Sequence, residues 1–144
     1  MRIFNCLCLL IILTGCQAEY KDISDNEENR GVIQQRFETL QVLKVHGVAL
    51  EKHGKNIDGY TITKEPGFAG PEVITKRDFP IGSIIQISKV LMCTNCLPSS
   101  VEFELNVVSE KLKVDVPVRL VGVHFKDVET GQLKLEAGFF RKIN

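Results

Sequence analysis

The chain has 144 residues, of which 44% are hydrophobic, and 18 Lys and Arg balance 18 Asp and Glu. This composition predicts a single globular domain with its own core. The balanced charge excludes the general electrostatic attraction that draws strongly basic chains to nucleic acid or anionic lipid, so we expect no nucleic-acid partner. The chain has five cysteines, an odd number, so they cannot all pair with one another.

The first fifteen residues have the pattern of a secretory signal peptide. Arg2 supplies a positive start, and residues 3–13 form an apolar run interrupted only by Asn5. This run is much shorter than the roughly 20 residues that a helix needs to span a bilayer. We therefore predict a signal peptide over residues 1–15 rather than a permanent transmembrane helix.

The end of this segment, Leu13-Thr14-Gly15-Cys16, resembles the lipobox of bacterial lipoproteins. The resemblance implies that Cys16 becomes the first mature residue and carries diacylglycerol, with palmitate or similar chains anchoring the protein to the membrane. Each buried methylene contributes about 0.8 kcal/mol, so two or three acyl chains anchor firmly. The alternative is a plain secreted protein in which Cys16 has no special role.

The residue after the lipobox bears on the location of the protein. In lipoproteins of bacteria with two membranes, an Asp at this position favours retention in the inner membrane, but this chain has Gln17. The resemblance therefore implies the cell envelope, at the periplasmic face of the outer membrane if the source has two membranes.

Residues 16–31 are predicted to form a flexible tether. Between residues 18 and 30 there are five acidic and two basic residues, and Tyr20 and Ile23 are the only sizeable apolar ones. Such a composition is typical of a solvated linker. The folded domain is then expected over residues 32–144.

The first part of this domain combines two patterns. Ile33, Phe37 and Leu40 fall close to helical spacing among good helix formers, which predicts one short helix over residues 32–43. Beyond it β-branched residues dominate, and we predict a strand over residues 42–51.

The second half has the clearest strand signals. Apolar and polar residues alternate over 101–107 and again over 112–120, with a turn at 109–111, which predicts a hairpin. Pro117 lacks an N–H group, which suggests a sheet edge or a bulge there. The apolar phase changes at Gly122, as expected for a bulge or a bend.

Further short strands are predicted at 60–64 and 83–92, with turns at 56–59, 79–82 and 130–131. Five to seven short strands separated by turns indicate an antiparallel meander. The predicted fold is mainly β: a small antiparallel β-barrel or sandwich, of the oligosaccharide-binding or SH3-like type.

The cysteine arithmetic leaves one pair in the mature domain. Cys6 and Cys8 would leave with the signal peptide and Cys16 would carry lipid, so Cys93 and Cys96 remain. In an oxidising compartment they favour a local disulfide. The alternatives are a redox-active dithiol and a metal site, for which zinc would need further ligands. No metal and no cofactor is predicted.

A rigid loop supplies the candidate binding site. Residues 66–71 carry Pro and Gly at both ends and Phe68 at the centre, and Lys64, Lys76 and Arg77 are candidates for its rim. Rigid loops with an exposed aromatic side chain suit recognition, because they lose little entropy on binding. The alternative is that Phe68 folds back to cover the core.

Motifs of a nucleophile elbow, a zinc protease or a phosphate-binding glycine loop are absent from the sequence. We therefore expect a non-enzymatic, lipid-anchored module that binds a protein partner, such as an immunity or inhibitor lipoprotein or an accessory of envelope assembly. One alternative is an envelope thiol-redox or metal-binding protein that uses Cys93 and Cys96. A second is a structural lipoprotein that binds cell-wall glycan.

Overall fold

The structure is a computed structural model that describes residues 18–51, 53–108 and 115–144. The predicted signal peptide, the lipobox with Cys16, and the turn at 109–111 lie outside the described residues. A short 3₁₀ helix spans Glu27–Asn29. The strands are β1 Tyr20–Asp22, β2 Arg36–Thr39, β3 Leu43–Val48, β4 Gly59–Thr63, β5 Val73–Phe79, β6 Ile84–Cys93, β7 Val101–Val107, β8 Val118–Val121, β9 His124–Lys126, β10 Leu133–Leu135 and β11 Phe140–Ile143.

Nine strands form one sheet in the order β11-β2-β6-β7-β8-β4-β3-β5, with β1 as an additional partner of β6. Strand β6 pairs with β7 along one edge, and β1 and β2 share its other edge. Strands β9 and β10 form a separate two-stranded hairpin. The β4–β8 pair is parallel and the other pairs are antiparallel. The predicted antiparallel meander is therefore wrong for β8. This strand pairs with β7, its neighbour in the chain, and also in parallel with the distant strand β4.

The sheet folds over a single core. One cluster of buried side chains contains Phe37 and Phe140 from one end of the strand order, and Leu43 and Phe79 from the other end. A flat sheet of nine strands could not bring its two ends into one cluster, so its halves face each other. Among the described strands β5 and β11 remain at the ends of the order, and no closed barrel forms. The predicted mainly β fold is confirmed, in its sandwich-like form.

The predicted helix over residues 32–43 is wrong. Gln34 has a φ of 59°, in the left-handed region that interrupts a helix. Phe37 and Thr39 are buried, while their neighbours are less so, as expected for a strand. Strand β2 is hydrogen-bonded between β6 and β11. This tertiary pairing overrides the weak helix preference of the segment.

The predicted flexible tether is also corrected. Tyr20 to Asp22 pair with β6, and the side chains of Ile23 and Asn29 are buried. The Asn29 side chain donates a hydrogen bond of 2.7 Å to the Ile23 carbonyl. The acidic side chains that suggested a linker are mostly exposed to solvent, while the few less polar ones reach the core. Residues 20–31 are thus part of the packed domain and not a flexible tether.

The strands predicted from alternation are confirmed. The predictions over 42–51, 60–64, 83–92 and 101–107 correspond to β3, β4, β6 and β7. Strands β7 and β8 pair in antiparallel fashion, as predicted for a hairpin, and Arg119 on β8 forms an ion pair of 3.2 Å with Glu102 on β7.

Of the two irregularities predicted near β8, the bend at Gly122 occurs, but the sheet edge or bulge predicted at Pro117 does not, because β8 is an inner strand between β7 and β4 and its pairing shows no register shift. Pro117 lies directly before β8, and its carbonyl accepts a hydrogen bond of 2.9 Å from the Tyr60 amide. Gly122 follows the strand with a φ of 70°, which glycine adopts without strain. The chain bends there into β9, which explains the change of apolar phase.

Candidate functional site

The cysteine pair forms a local disulfide. Cys93 and Cys96 are bonded, with their Cα atoms 5.5 Å apart, which confirms the favoured prediction. We call residues 93–100 the disulfide loop. Hydrogen bonds join it to the N-terminal segment: Thr94 N and Thr94 Oγ1 donate to the Glu19 carbonyl at 2.8 Å and 3.2 Å, and Glu19 N donates to the Asn95 side chain at 2.9 Å.

The candidate cations Lys76 and Arg77 lie on opposite faces of β5. Residues directly opposite each other on paired strands share a face of the sheet. Lys76 lies opposite His46 on the outer face, whereas Arg77 lies opposite the core residue Val45. The Arg77 guanidinium stands over the Tyr60 ring, 5.9 Å from its centroid. The two cations therefore cannot rim the same loop.

Lys64 also turns away from the candidate loop. Its ammonium group forms an ion pair of 2.9 Å with Glu136 and lies 5.6 Å from the centroid of the Phe139 ring. Lys76, in contrast, donates a hydrogen bond of 2.7 Å to the Pro66 carbonyl. Of the candidate residues, the structure thus brings together Phe68 and Lys76.

Residues 64–72, which we call the Phe68 loop, cover the outer face of the sheet at His46. The Phe68 ring is half-buried and stacks on the His46 ring, with centroids 4.4 Å apart. Gly67 has a φ of 76°, and a Cβ atom there would lie 2.4 Å from His46 Cε1. Only glycine lets the loop backbone approach the imidazole this closely. Phe68 folds back, but over His46 on the outer face and not over the main core.

His46 is fully buried beneath this loop although it points away from the core. Neither ring nitrogen has a hydrogen-bond partner among the described residues, and the same holds for the nearby Thr63 hydroxyl. Burial lowers the pKa of His46 below its ordinary value, the Thr61 backbone opposes this shift, and the charges of Lys76 and Lys44 lower the pKa further. The neutral imidazole is therefore the form that the folded protein favours.

Acidification should destabilise the fold through His46. Because its pKa is lower in the folded state than the ordinary value of 6.5, the unfolded chain binds more protons below about pH 6.5. The stabilisation is complete above that pH and is lost as the pH falls toward the folded-state pKa, with a slope of at most about 1.4 kcal/mol per pH unit. His46→Leu should flatten this dependence, as measured by urea unfolding between about pH 7.5 and about pH 5.5.

The exposed His53 supplies a matched control. It has a φ of 61°, which Asn tolerates, so His53→Asn replaces a histidine at the surface without straining the backbone. His124 has a pKa lowered chiefly by burial, so some dependence will persist in His46→Leu. A pH dependence in His46→Leu equal to that of the unchanged protein would show that His46 does not contribute.

A second feature is an open groove of about 430 Å³ between the N-terminal segment, the end of the disulfide loop and the β9–β10 hairpin. We call it the hairpin groove. Ile23, Val101 and Leu133 supply apolar lining. Phe125 lines the same groove and is 45% exposed. Lys126 beside it forms an ion pair of 2.5 Å with Glu28.

His124 also lines the hairpin groove. Its ring meets the buried Phe103 ring edge to face, with centroids 5.1 Å apart. Its Nδ1 atom is buried and has no hydrogen-bond partner among the described residues. Burial is the main cause of its lowered pKa, while the Glu136 charge opposes the shift. His124 and Phe125 are consecutive residues of β9, so their side chains lie on opposite faces of the hairpin, the imidazole toward the core and the phenyl ring toward solvent.

Comparison with protein-family models, curated proteins and solved structures finds no match. The groove must therefore be interpreted from its own chemistry. Within residues 18–51, 53–108 and 115–144, no three His, Cys, Asp or Glu side chains converge as metal ligands. The same ranges contain no helix with the length and apolar character needed to cross a membrane.

No sequence pattern directly indicates the hairpin groove. One wall consists of residues whose composition predicts a tether. Another is β9, which follows the break in alternation at Gly122. Phe125 falls on the apolar parity of that strand, yet it is exposed. An apolar residue at an apolar position is expected to be buried, so only the folded structure reveals its exposure.

Proposed function

We propose that this protein is a lipid-anchored protein of the cell envelope whose β-domain binds a protein partner in the hairpin groove, without catalysing a reaction. The lipobox at Cys16 supports the anchor. The observation that carries the binding role is the exposed Phe125 ring beside an open groove with apolar lining.

The groove has the features of a recognition site. Its volume of about 430 Å³ is comparable to that of small-molecule pockets, roughly 300–1,000 Å³, so it has room for apolar side chains of a partner. Aromatic side chains are enriched in protein interfaces, with polar groups at the rim. Here Phe125 is the aromatic anchor and the Glu28–Lys126 pair is the polar rim. The expected partner is a protein segment that inserts apolar side chains, as in an immunity complex or an envelope assembly.

Site-specific photo-crosslinking tests this proposal in the membrane-attached full-length protein. A photoreactive residue in place of Phe125 should crosslink to one defined protein, which mass spectrometry identifies. Val128 is the matched control, because it is 99% exposed on the same hairpin but does not line the groove. The same residue in place of Val128 should give little of this product.

The purified partner then allows a quantitative test. Phe125→Asp should weaken binding by at least about thirtyfold, as expected for a central anchor worth about 2 kcal/mol. Val128→Asp should bind as the unchanged protein does. Equal affinity of the two variants would contradict the proposed site.

The alternatives predict other results. Co-sedimentation with purified cell-wall glycan that Phe125→Asp abolishes would favour the glycan-binding alternative. Two reactive thiols without added reductant, or bound metal, would favour a redox or metal-binding role for Cys93 and Cys96. These outcomes would replace the protein-binding proposal.

A further inference from the structure

The disulfide loop presents an apolar side chain that no other described residue covers. Leu97 is 99% exposed, and the next residue, Pro98, is exposed as well. The sequence from Cys93 to Val101 contains no charged residue. Moving a fully exposed leucine side chain from water into an apolar environment lowers the free energy.

This loop lies beside the point where the described chain begins. Tyr20 is directly opposite Cys93 in the β1–β6 pair, and the hydrogen bonds between Glu19 and the loop continue the contact. Directly opposite Cα atoms are about 5 Å apart, and the Cys93–Cys96 Cα distance is 5.5 Å. The Leu97 Cα atom therefore lies no more than about 15 Å from that of Tyr20.

The proposed lipid anchor lies close to the same place along the chain. Cys16 precedes Tyr20 by four positions, so even a fully extended connection spans no more than about 14 Å. The packing of residues 20–31 removes the long tether that the sequence suggested. An anchored domain must therefore stay close to the bilayer, at the end of β6 that carries the disulfide loop.

We propose that the disulfide loop contacts the lipid bilayer and that Leu97 inserts into its interface beside the lipid anchor. This inference rests on the proposed lipidation of Cys16. The anchor keeps the loop at a high effective concentration next to the membrane, so a single apolar side chain suffices for contact. The uncharged loop adds no cost of burying a charge.

The absence of Trp from the sequence makes a fluorescence test possible. Leu97→Trp places one reporter in the loop, and Ile81→Trp is the matched control. Ile81 is also an exposed apolar residue, but it precedes the opposite end of β6, about 30 Å away along the strand. Each full-length lipidated variant is placed in vesicles of phosphatidylethanolamine and phosphatidylglycerol.

The two reporters should behave differently. Trp emission from Leu97→Trp should shift to shorter wavelength on vesicle attachment, be quenched by nitroxide-labelled lipid and be shielded from aqueous iodide. Ile81→Trp should show no shift and remain open to iodide. If the two variants show the same Trp emission and the same quenching by iodide, the inference is wrong.

A separate measurement tests whether the lipid anchor exists. Vesicle flotation reports attachment independently of fluorescence. If neither variant floats with the vesicles, the proposed lipid anchor is wrong. If both float and the Leu97→Trp reporter stays in water, the anchor stands and the membrane contact of the loop is wrong.

Discussion

A chain that begins at Val32 will unfold at a markedly lower urea concentration than one that begins at Ala18. The shorter chain lacks β1, so the last residues of β6 lose their partner on one edge. It also lacks the buried side chains of Ile23 and Asn29. Removing one buried Ile side chain alone costs about 2 kcal/mol or more. With a urea slope of roughly 1–3 kcal/mol per molar, the midpoint should fall by about 1 M or more.

Point variants separate packing from chain length in this experiment. Ile23→Ala in the longer chain should reproduce a large part of the loss, because it removes a side chain from the core. Asp25→Ala changes an exposed residue in the same segment and should alter the midpoint little. If the two chains unfold at the same urea concentration, residues 18–31 contribute no stability and the original tether prediction stands.

Replacing the lipobox by an ordinary cleavage site will move the protein from the membrane to the soluble fraction. The triple variant Leu13→Ala, Gly15→Ala, Cys16→Ser leaves a small-residue site of the kind that conventional signal peptidases cleave, and it removes the sulfur that would carry lipid. The sequence has balanced charge, so no electrostatic attraction replaces the anchor. Fractionation and metabolic labelling with palmitate measure the outcome.

Cys8→Ser is the matched control for this change, because it alters a cysteine in the predicted signal peptide. It should keep both palmitate labelling and membrane attachment. Full membrane attachment of the triple variant after cleavage of its signal peptide would refute the anchor. Labelling of the triple variant would show that another cysteine carries the acyl group.

The sequence predicts a strand correctly where the side chains on one face of the strand are buried and those on the other face are exposed. Strand β7 buries Phe103 and Leu105 between less buried neighbours, so its alternation is visible. Strand β5 was missed because residues 75–78 are exposed on both faces of an edge strand, which leaves no alternation to detect. Strand β2 was mistaken for a helix because a strand of four residues is too short to distinguish the two periods.

The candidate sites show the same limit. The spacing of Cys93 and Cys96 suffices to predict their disulfide, because the two residues are local. Lys76 and Arg77 are adjacent in sequence, and only their position in a strand shows that they occupy opposite faces. The hairpin groove joins residues 23–29 to β9 and β10. No local pattern describes a contact between segments that are so far apart in sequence.

The pairing of β1 with the end of β6 also has a consequence for the order of folding. In a chain that emerges with its N-terminus first, Tyr20 appears long before Cys93, its partner. Strand β1 therefore stays unpaired until about half of the chain has followed it. Contacts between residues so distant in sequence slow folding, because a long loop must close before they form. The strand nearest the predicted anchor is thus among the first to emerge, but it can pair only after β6 has followed.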